Sequence, residues 1–247
     1  MTTWIMLKNY WRLQYKQIII RAVLVIVAAL ILDQGINRML GTLVPVIQGH
    51  DSRVYFFSVI ITFLIITSTL GIACGEIGKH SAGGILTTFR TAGLQVNSLY
   101  LNLVLNILSE SVLLLVLITV TLMLVSGVYF SFGILLLFWV NLWLCLALFI
   151  QLGLILSVFF RPKFIFLSLL IVIIPLFFIS GFFYPVGNLT GVGHWLIALL
   201  PTAVSIEGSK SITINNTING FTLVYVVVLN IFIFIGGTYL FRRKLQR

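Results

Sequence analysis

Charged residues are scarce in this sequence. Aspartate and glutamate together number 5 and lysine and arginine 15 among 247 residues, so charged residues make up 8% of the chain, whereas hydrophobic residues make up 60%. A water-soluble domain of this length needs far more polar surface. The scarcity of charge therefore excludes a soluble globular fold and indicates an integral membrane protein.

Side chains that could carry chemistry are also few and scattered. Both cysteines fall in apolar segments, the three histidines lie in separate loops, and the five acidic residues form no pair along the chain. The segment nearest to a phosphate-binding loop, residues 73–80, lacks the first glycine and has no serine or threonine after Lys79. The sequence therefore predicts a protein that is not an enzyme and that binds no metal or cofactor of its own.

Long apolar blocks predict six transmembrane helices. Blocks of about 18 residues or more cross a bilayer as helices, because lipid offers the backbone no hydrogen-bond partners. The predicted spans are approximately Ile18–Leu32, Val54–Cys74, Leu99–Val125, Phe132–Phe160, Phe164–Phe183 and Phe221–Leu240. We therefore predict an all-α membrane protein in which residues 1–247 form a single transmembrane domain.

The distribution of basic residues predicts the orientation. Twelve of the fifteen lie in the N-terminal arm, the loop after the second span, the turn after the fourth span and the C-terminal tail. The side of the membrane that is richer in lysine and arginine faces the cytoplasm. Both termini are therefore predicted to be cytoplasmic, with 51–53 and 207–210 outside. The net charge of +10 then reflects topology and attraction to anionic lipid rather than nucleic-acid binding.

Residues 1–17 form an arm with two faces. Residues recur at helical spacing on an apolar face (Trp4, Leu7, Trp11 and Ile18) and on a basic face (Lys8, Arg12 and Lys16). Tryptophan rings favour the headgroup level and basic side chains reach anionic lipid. This pattern predicts an interfacial helix that bends into the first span, although a charged flank that only sets topology would show the same residues.

The third span carries a polar stripe. Asn102, Asn106, Ser109 and Glu110 share one helical face, and Glu110 is the ionisable residue nearest the middle of a predicted span. An ionisable group at that depth indicates a functional site, here a substrate path through Asn102, Asn106 and Glu110. The alternative is hydrogen bonding between helices, which needs no substrate.

Two segments resemble a known family. The loop after the second span contains, in order, Glu76 at the membrane edge, Gly84-Ile85-Leu86, and Arg90 before the next span. After the fifth span come Ser180-Gly181, an aromatic run, Pro185, an apolar stretch with Trp195, and a closing Pro201. Together these segments resemble the permease subunits of type-2 ATP-binding-cassette exporters, in which an acidic residue and a Gly-x-Leu segment join spans two and three and a Ser-Gly-aromatic-Pro hairpin precedes the last span.

The resemblance implies two functional segments. Residues 76–95 would form a cytoplasmic coupling segment that docks on an ATPase, through Glu76, Lys79, Gly84, Leu86, Phe89 and Arg90. Residues 181–200 would form a re-entrant outer hairpin, with gate residues Gly181, Phe182, Phe183, Tyr184, Pro185, Trp195 and Pro201. The chain would pair with a second permease copy, as a homodimer or heterodimer, and with separate ATPase subunits that bind ATP and Mg.

The function implied is outward transport across a bacterial cell membrane. The lipophilic spans and short outer loops favour a hydrophobic drug, an antimicrobial peptide or a lipid-like substrate. Within the same family, a polysaccharide or glycolipid exporter and a bacteriocin immunity pump are the alternatives. From a different class, an ion-coupled secondary carrier or a channel would fit the composition.

The predicted topology is testable by cysteine labelling of intact cells. In a background with Cys74 and Cys145 replaced by serine, a cysteine at Asp51 should react with a membrane-impermeant thiol reagent and one at His80 should not, because the basic loop is cytoplasmic. Both should react once the cells are permeabilised. Labelling at position 80 but not at 51 in intact cells would show that the orientation is the reverse of the predicted one.

Overall fold

We describe the protein from a computed structural model, which covers residues 2–37, 46–47, 50–82, 96–159, 175–184, 186 and 189–246. Seven α-helices are named in chain order: α1 (Thr2–Leu32), α2 (Ser52–Ala82), α3 (Val96–Ser126), α4 (Phe132–Phe159), α5 (Val192–Ala198), α6 (Pro201–Asn215) and α7 (Gly220–Gln246). A π-helical turn (Asp33–Asn37) follows α1, and residues 175–179 are also helical. Two short antiparallel strands, β1 (Val46–Ile47) and β2 (His50–Asp51), precede α2.

Five of the described helices are long and apolar enough to cross a membrane. These stretches are Tyr10–Ile36, Ser52–Glu76, Asn97–Ser126, Phe132–Val158 and Gly220–Arg243. Their positions agree with the first four predicted spans and the last one, and the helical class with candidate membrane spans is confirmed. The predicted fifth span lies mostly outside the described residues, so the count of six stays a prediction.

The first helix differs from its prediction. The sequence separated an arm over residues 1–17 from a span that begins at Ile18, but α1 runs without a break from Thr2 to Leu32. The apolar stretch within it begins at Tyr10. A helix in lipid keeps its backbone hydrogen bonds within itself, so polar side chains do not end it. The arm and the first span are therefore one continuous helix, and the interfacial position of residues 1–17 stays a prediction.

Local signals at the helix ends explain where several helices begin and end. The Asp51 carboxylate accepts a hydrogen bond from the Arg53 N–H at 2.9 Å, which caps the start of α2. The Asn219 side chain does the same for Phe221 at the start of α7, at 3.1 Å. After α3, Gly127 adopts a φ of 69°, the left-handed conformation that commonly follows a helix.

The centre of the bundle is α2, which packs against α1, α3, α4 and α6. It supplies most of the large, fully buried apolar side chains (Tyr55, Phe57, Ile60, Ile61, Ile65 and Ile66). By contrast, α1 and α7 expose long apolar faces, including Leu24 and Phe232. An apolar face of this kind is stable in lipid and would be unfavourable in water.

Helix α6 is polar and yet buried. Ten of its residues are buried, among them Thr202, Ser205, Ser209, Lys210 and Thr213, and it packs between α2 and α4 with α7 alongside. The sequence predicts 207–210 on the outer side of the membrane; the segment is helical, with Gly208, Ser209 and Lys210 buried, and its side of the membrane stays a prediction. Several of its hydroxyl groups donate to backbone carbonyls within α6, such as Ser205 to Pro201 and Ser209 to Ser205, which lowers the cost of burying them.

Close approach of α3 and α7 depends on one glycine. A Cβ atom added at Gly237 would lie 2.4 Å from the Tyr100 Oη, whereas at the neighbouring Gly236 it would meet nothing within 4 Å. We expect Gly237→Ala to lower the free energy of unfolding by about 1–3 kcal/mol, because overpacking must be relieved by movement. Gly236→Ala should have little effect.

The measurement is the thermal unfolding midpoint of each variant in the same detergent. Adding Tyr100→Phe to Gly237→Ala should recover part of the loss, since it removes the nearest atom. Equal midpoints for the two glycine variants would contradict the packing described for α3 and α7.

Candidate functional site: two buried polar clusters

The first cluster joins three helices through two carboxylates, and we call it the carboxylate cluster (Tyr10, Arg21, Glu76 and Glu110). The Tyr10 hydroxyl donates to Glu110 Oε2 at 2.7 Å, and Arg21 Nη1 donates to Glu110 Oε1 at 2.7 Å. The other terminal nitrogen of Arg21 lies 3.7 Å from Glu76 Oε1. One guanidinium on α1 therefore contacts carboxylates on both α2 and α3.

Both carboxylates of this cluster are removed from solvent. Glu110 is fully buried and Glu76 is 1% exposed, while the Arg21 side chain is 23% exposed. A buried carboxylate is stable when it is paired and hydrogen-bonded, and removing one partner of such a pair costs about 3–5 kcal/mol. The cluster therefore fixes the relative positions of α1, α2 and α3.

Neighbouring hydroxyl groups extend these contacts. Trp11 Nε1 donates to Ser109 Oγ at 3.2 Å, which ties α1 to α3 a second time. Thr69 Oγ1 donates to Ser111 Oγ at 3.0 Å, which ties α2 to α3. Two residues of the stripe on α3, Ser109 and Glu110, thus make contacts between helices.

The predicted substrate-path residues have different surroundings in the described structure, and their predicted role stays a prediction. Glu110 lies in the carboxylate cluster, but the Asn102 amide faces only Ser98 Oγ of its own helix, at 3.5 Å, and Asn106 is half-buried. Tyr10 and Arg21 were missed as site residues. Arg21 is one of the twelve basic residues that predict the orientation, and it lies within the predicted span Ile18–Leu32. A cation at that position, with Glu110 in another span, is the signal that could have indicated a pair.

Most of the predicted coupling residues lie outside the part of the chain that the structure describes. Glu76 is placed, in the cluster above. Lys79 lies in α2, but its side chain is not described, and Gly84, Leu86, Phe89 and Arg90 lie outside the described residues. Their predicted docking role stays a prediction.

The second cluster surrounds a buried lysine, and we call it the lysine cluster (Tyr55, Gly181, Glu207 and Lys210). Lys210 Nζ donates to Glu207 Oε1 at 2.6 Å, to the Gly181 carbonyl at 3.1 Å and to the Tyr55 hydroxyl at 3.1 Å. The ammonium also lies 4.7 Å from the centroid of the Tyr55 ring, a cation–π distance. Burial lowers the pKa of Lys210, and the Glu207 carboxylate opposes that shift.

The lysine cluster holds the start of the predicted hairpin against α2 and α6. The Tyr55 hydroxyl donates to the Gly181 carbonyl at 3.2 Å, and the Val186 N–H donates to Glu207 Oε1 at 3.4 Å. The hydroxyl groups of Ser180 and Thr202 also contact each other. The chain on both sides of Gly181 is therefore fixed by polar contacts to α6, while the Gly181 carbonyl is bonded to α2.

The predicted gate residues divide into buried and exposed sets. Phe182 is buried and packs edge-on against Phe63 of α2, with ring centroids 5.5 Å apart. Phe183 is 42% exposed and Trp195 is 69% exposed. Tyr184 is half-buried and donates to the Ile179 carbonyl, Pro201 begins α6, and Pro185 lies outside the described residues.

A line of small polar groups connects α6 to the rest of the bundle. Ser209 Oγ accepts from Thr62 Oγ1 at 3.0 Å and from the Asn141 amide at 3.4 Å. Deeper along α4, the Gln151 amide donates to Asn230 Oδ1 at 2.8 Å, which joins α4 to α7. Hydrogen bonds of this kind stabilise helix association in membranes by about 0.6–2 kcal/mol each.

Neither cysteine belongs to the two clusters. Both cysteines are buried and free. Within the described ranges, no three histidine, cysteine, aspartate or glutamate side chains are grouped so that they could hold a metal ion. The described polar groups mainly hold helices to one another.

Gly181 is the position at which the lysine cluster is most easily tested. Its φ is 89°, and a Cβ atom would lie 2.6 Å from Val186 Cγ2 and 3.3 Å from Glu207 Oε1. Gly191 also has a positive φ, 73°, but a Cβ there would meet nothing within 4 Å. Gly191→Ala should therefore lower the free energy of unfolding by about 1–2 kcal/mol, because alanine is strained in the left-handed conformation. Gly181→Ala should lower it by more, because the added Cβ also overlaps neighbouring atoms.

Thermal unfolding in detergent measures both variants side by side. The thermal unfolding midpoint should be highest for the wild type, lower for Gly191→Ala and lowest for Gly181→Ala. If Gly181→Ala were as stable as Gly191→Ala, the hairpin would not be held against Val186 and Glu207 as described.

Comparisons with known proteins assign no family. No protein-family model matches the chain, and neither the curated proteins nor the solved structures include a significant match. The resemblance to type-2 exporter permeases therefore depends on the two sequence segments alone. What can be said about the site comes from the geometry of its residues.

Proposed function

We propose that this chain is the membrane-spanning permease subunit of an ATP-driven exporter of the type-2 ATP-binding-cassette class. It moves a hydrophobic drug, an antimicrobial peptide or a lipid-like molecule outward, and a separate ATPase subunit supplies the energy. The sequence contains no phosphate-binding loop, which supports ATP hydrolysis on a separate chain and transport on this one.

The observation that carries this proposal is the pair of short helices before the last span. Helix α6 has 15 residues and α5 has 7, and at about 1.5 Å per residue neither reaches across a hydrocarbon core of about 30 Å. Only Leu199 and Leu200 separate them, and the Tyr225 hydroxyl of α7 donates to the Leu199 carbonyl at 2.6 Å. A re-entrant hairpin held by the last span accounts for this arrangement.

The difference in exposure between α5, which lies in the hairpin of residues 181–200, and α6, which follows the hairpin, supports a gating role. Helix α5 exposes Val192, Trp195 and Leu196, whereas α6 is enclosed and bonded through Lys210 and Ser209. Irregular backbone at membrane depth must be covered by protein, which favours assembly with a second copy of the permease. We place the outer gate at Gly181, Phe182 and Lys210, where the hairpin meets α2 and α6.

An ion-coupled carrier is the second candidate. Two buried carboxylates that share one arginine are ionisable groups inside an apolar bundle, and such groups mark ion or proton paths in many membrane proteins. This candidate needs no ATPase partner, and that difference separates the two functions experimentally.

The test is capture of the partner from the source membranes. Affinity-tagged full-length chain, purified in a mild detergent, should retain an ATP-binding-cassette ATPase, and the complex should hydrolyse ATP while the chain alone does not. Phe89→Asp should abolish this association, because a charge in the apolar docking segment cannot be accommodated in a packed contact. Ile218→Asp, an equal change at a residue 42% exposed in the α6–α7 loop, should retain it.

Three results would contradict the proposal: no cassette ATPase in the purified sample, equal association of the two variants, or ATP hydrolysis by the isolated chain. The first of these would favour the carrier.

A further inference from the structure

The Arg21 guanidinium lies between the end of the second span and the middle of α3. We propose that Arg21 is a positioning residue that locks the C-terminal end of α2 to α3, so that a displacement of residues 76–95 moves α1, α2 and α3 as one body. The inference rests on the proposed function, because the ATPase supplies the displacement. It assigns the N-terminal helix a role in transmission rather than in anchoring to the membrane surface.

Glu76 lies where the coupling segment of residues 76–95 begins, so its contact with Arg21 is close to the proposed displacement. Glu76 is the last residue of the apolar stretch that begins at Ser52, and α2 continues beyond it to Ala82. A force applied to residues 76–95 enters α2 at this point and enters α3 at Val96. Arg21 contacts Glu76 there at 3.7 Å and Glu110 of α3 at 2.7 Å.

The chemistry of this contact requires arginine. The two terminal nitrogens of one planar guanidinium face different carboxylates, Nη1 facing Glu110 and Nη2 facing Glu76. A lysine ammonium is a single point charge without this fork, and it would hold one carboxylate well and the other poorly. Arg21→Lys therefore keeps the charge in the cluster and removes the bridge between α2 and α3.

Two further contacts keep α1 in register with α3. Tyr10 bonds Glu110 and Trp11 bonds Ser109, both about three turns before Arg21 on α1. Since these contacts do not involve Glu76, Arg21→Lys should leave α1 attached to α3 and loosen only the end of α2. This difference separates a lock from a general contribution to folding.

The first measurement is hydrogen exchange of the full-length chain in detergent micelles. We expect Arg21→Lys to raise the exchange rate about tenfold in peptides that cover the C-terminal end of α2, with α4 and α6 unchanged, because the ion pair between Arg21 and Glu76 is lost. Arg12→Lys, the same change at an exposed position of α1, is the matched control and should exchange like the wild type. Equal rates in the two variants would overturn the inference.

A second variant serves if Arg21→Lys is not recovered from membranes. Arg21→Gln combined with Glu110→Gln removes both charges of the α1–α3 pair and still removes the bridge to Glu76. It should show the same faster exchange at the end of α2. Wild-type exchange there would overturn the inference as well.

The second measurement uses the captured ATPase complex with spin labels at Gly71 of α2 and Leu124 of α3. Both positions are exposed, and a side chain added at Gly71 meets nothing within 4 Å. In the wild type, ATP with vanadate should leave the distance between the labels unchanged, since the helices move together. In Arg21→Lys the distance should change when ATP is added.

If the distance between the labels did not change with ATP in either the wild type or Arg21→Lys, the role in transmission would be overturned. This would hold even if Arg21→Lys raised the hydrogen-exchange rate at the end of α2. Failure of the proposed function is read separately, from the absence of an ATPase in the captured sample, while hydrogen exchange still decides whether Arg21 locks α2 to α3.

Discussion

Lipid cannot hydrogen-bond to protein, and this constraint governs how the helices of this protein are arranged. Every polar group inside the bundle needs a partner within the bundle. Arg21, Glu76 and Glu110 meet at the junction of α1, α2 and α3, and Lys210 meets Tyr55, Glu207 and the Gly181 carbonyl near the start of α2. These charged residues of the described structure (Arg21, Glu76, Glu110, Glu207 and Lys210) therefore fix the positions of the helices that they join.

Between these points the helices are held by close apolar packing. At Gly153 an added Cβ would lie 2.8 Å from the Ala73 Cβ, so α4 approaches α2 closely there, and Gly237 admits the Tyr100 hydroxyl between α7 and α3. In a membrane the hydrophobic effect does not drive helices together. Small residues at the contacts let the helices approach closely, and van der Waals attraction between them then stabilises the association. Stability then depends on fit at a few positions.

The distribution of polar contacts suggests how such a bundle could move. The carboxylate cluster joins α1, α2 and α3, whereas the lysine cluster joins the hairpin to α2 and α6. A movement applied at the end of α2 would reach Tyr55 through a single helix whose central side chains are fully buried. Packed helices transmit displacement because interiors resist compression. The two clusters thus lie at the two ends of one rigid element.

The sequence by itself determined the membrane class and the positions of five helices. Val54–Cys74 was predicted where Ser52–Glu76 is found, and Phe221–Leu240 where Gly220–Arg243 is found, because the length of an apolar run depends only on neighbouring residues. The burial of α6 was not predictable in this way, since its composition is that of a water-exposed loop and its partners Thr62 and Asn141 are distant in sequence. The same holds for Arg21 and Glu110, 89 residues apart: only the packing of α1 against α3 decided that a topology signal and a polar stripe form one ion pair.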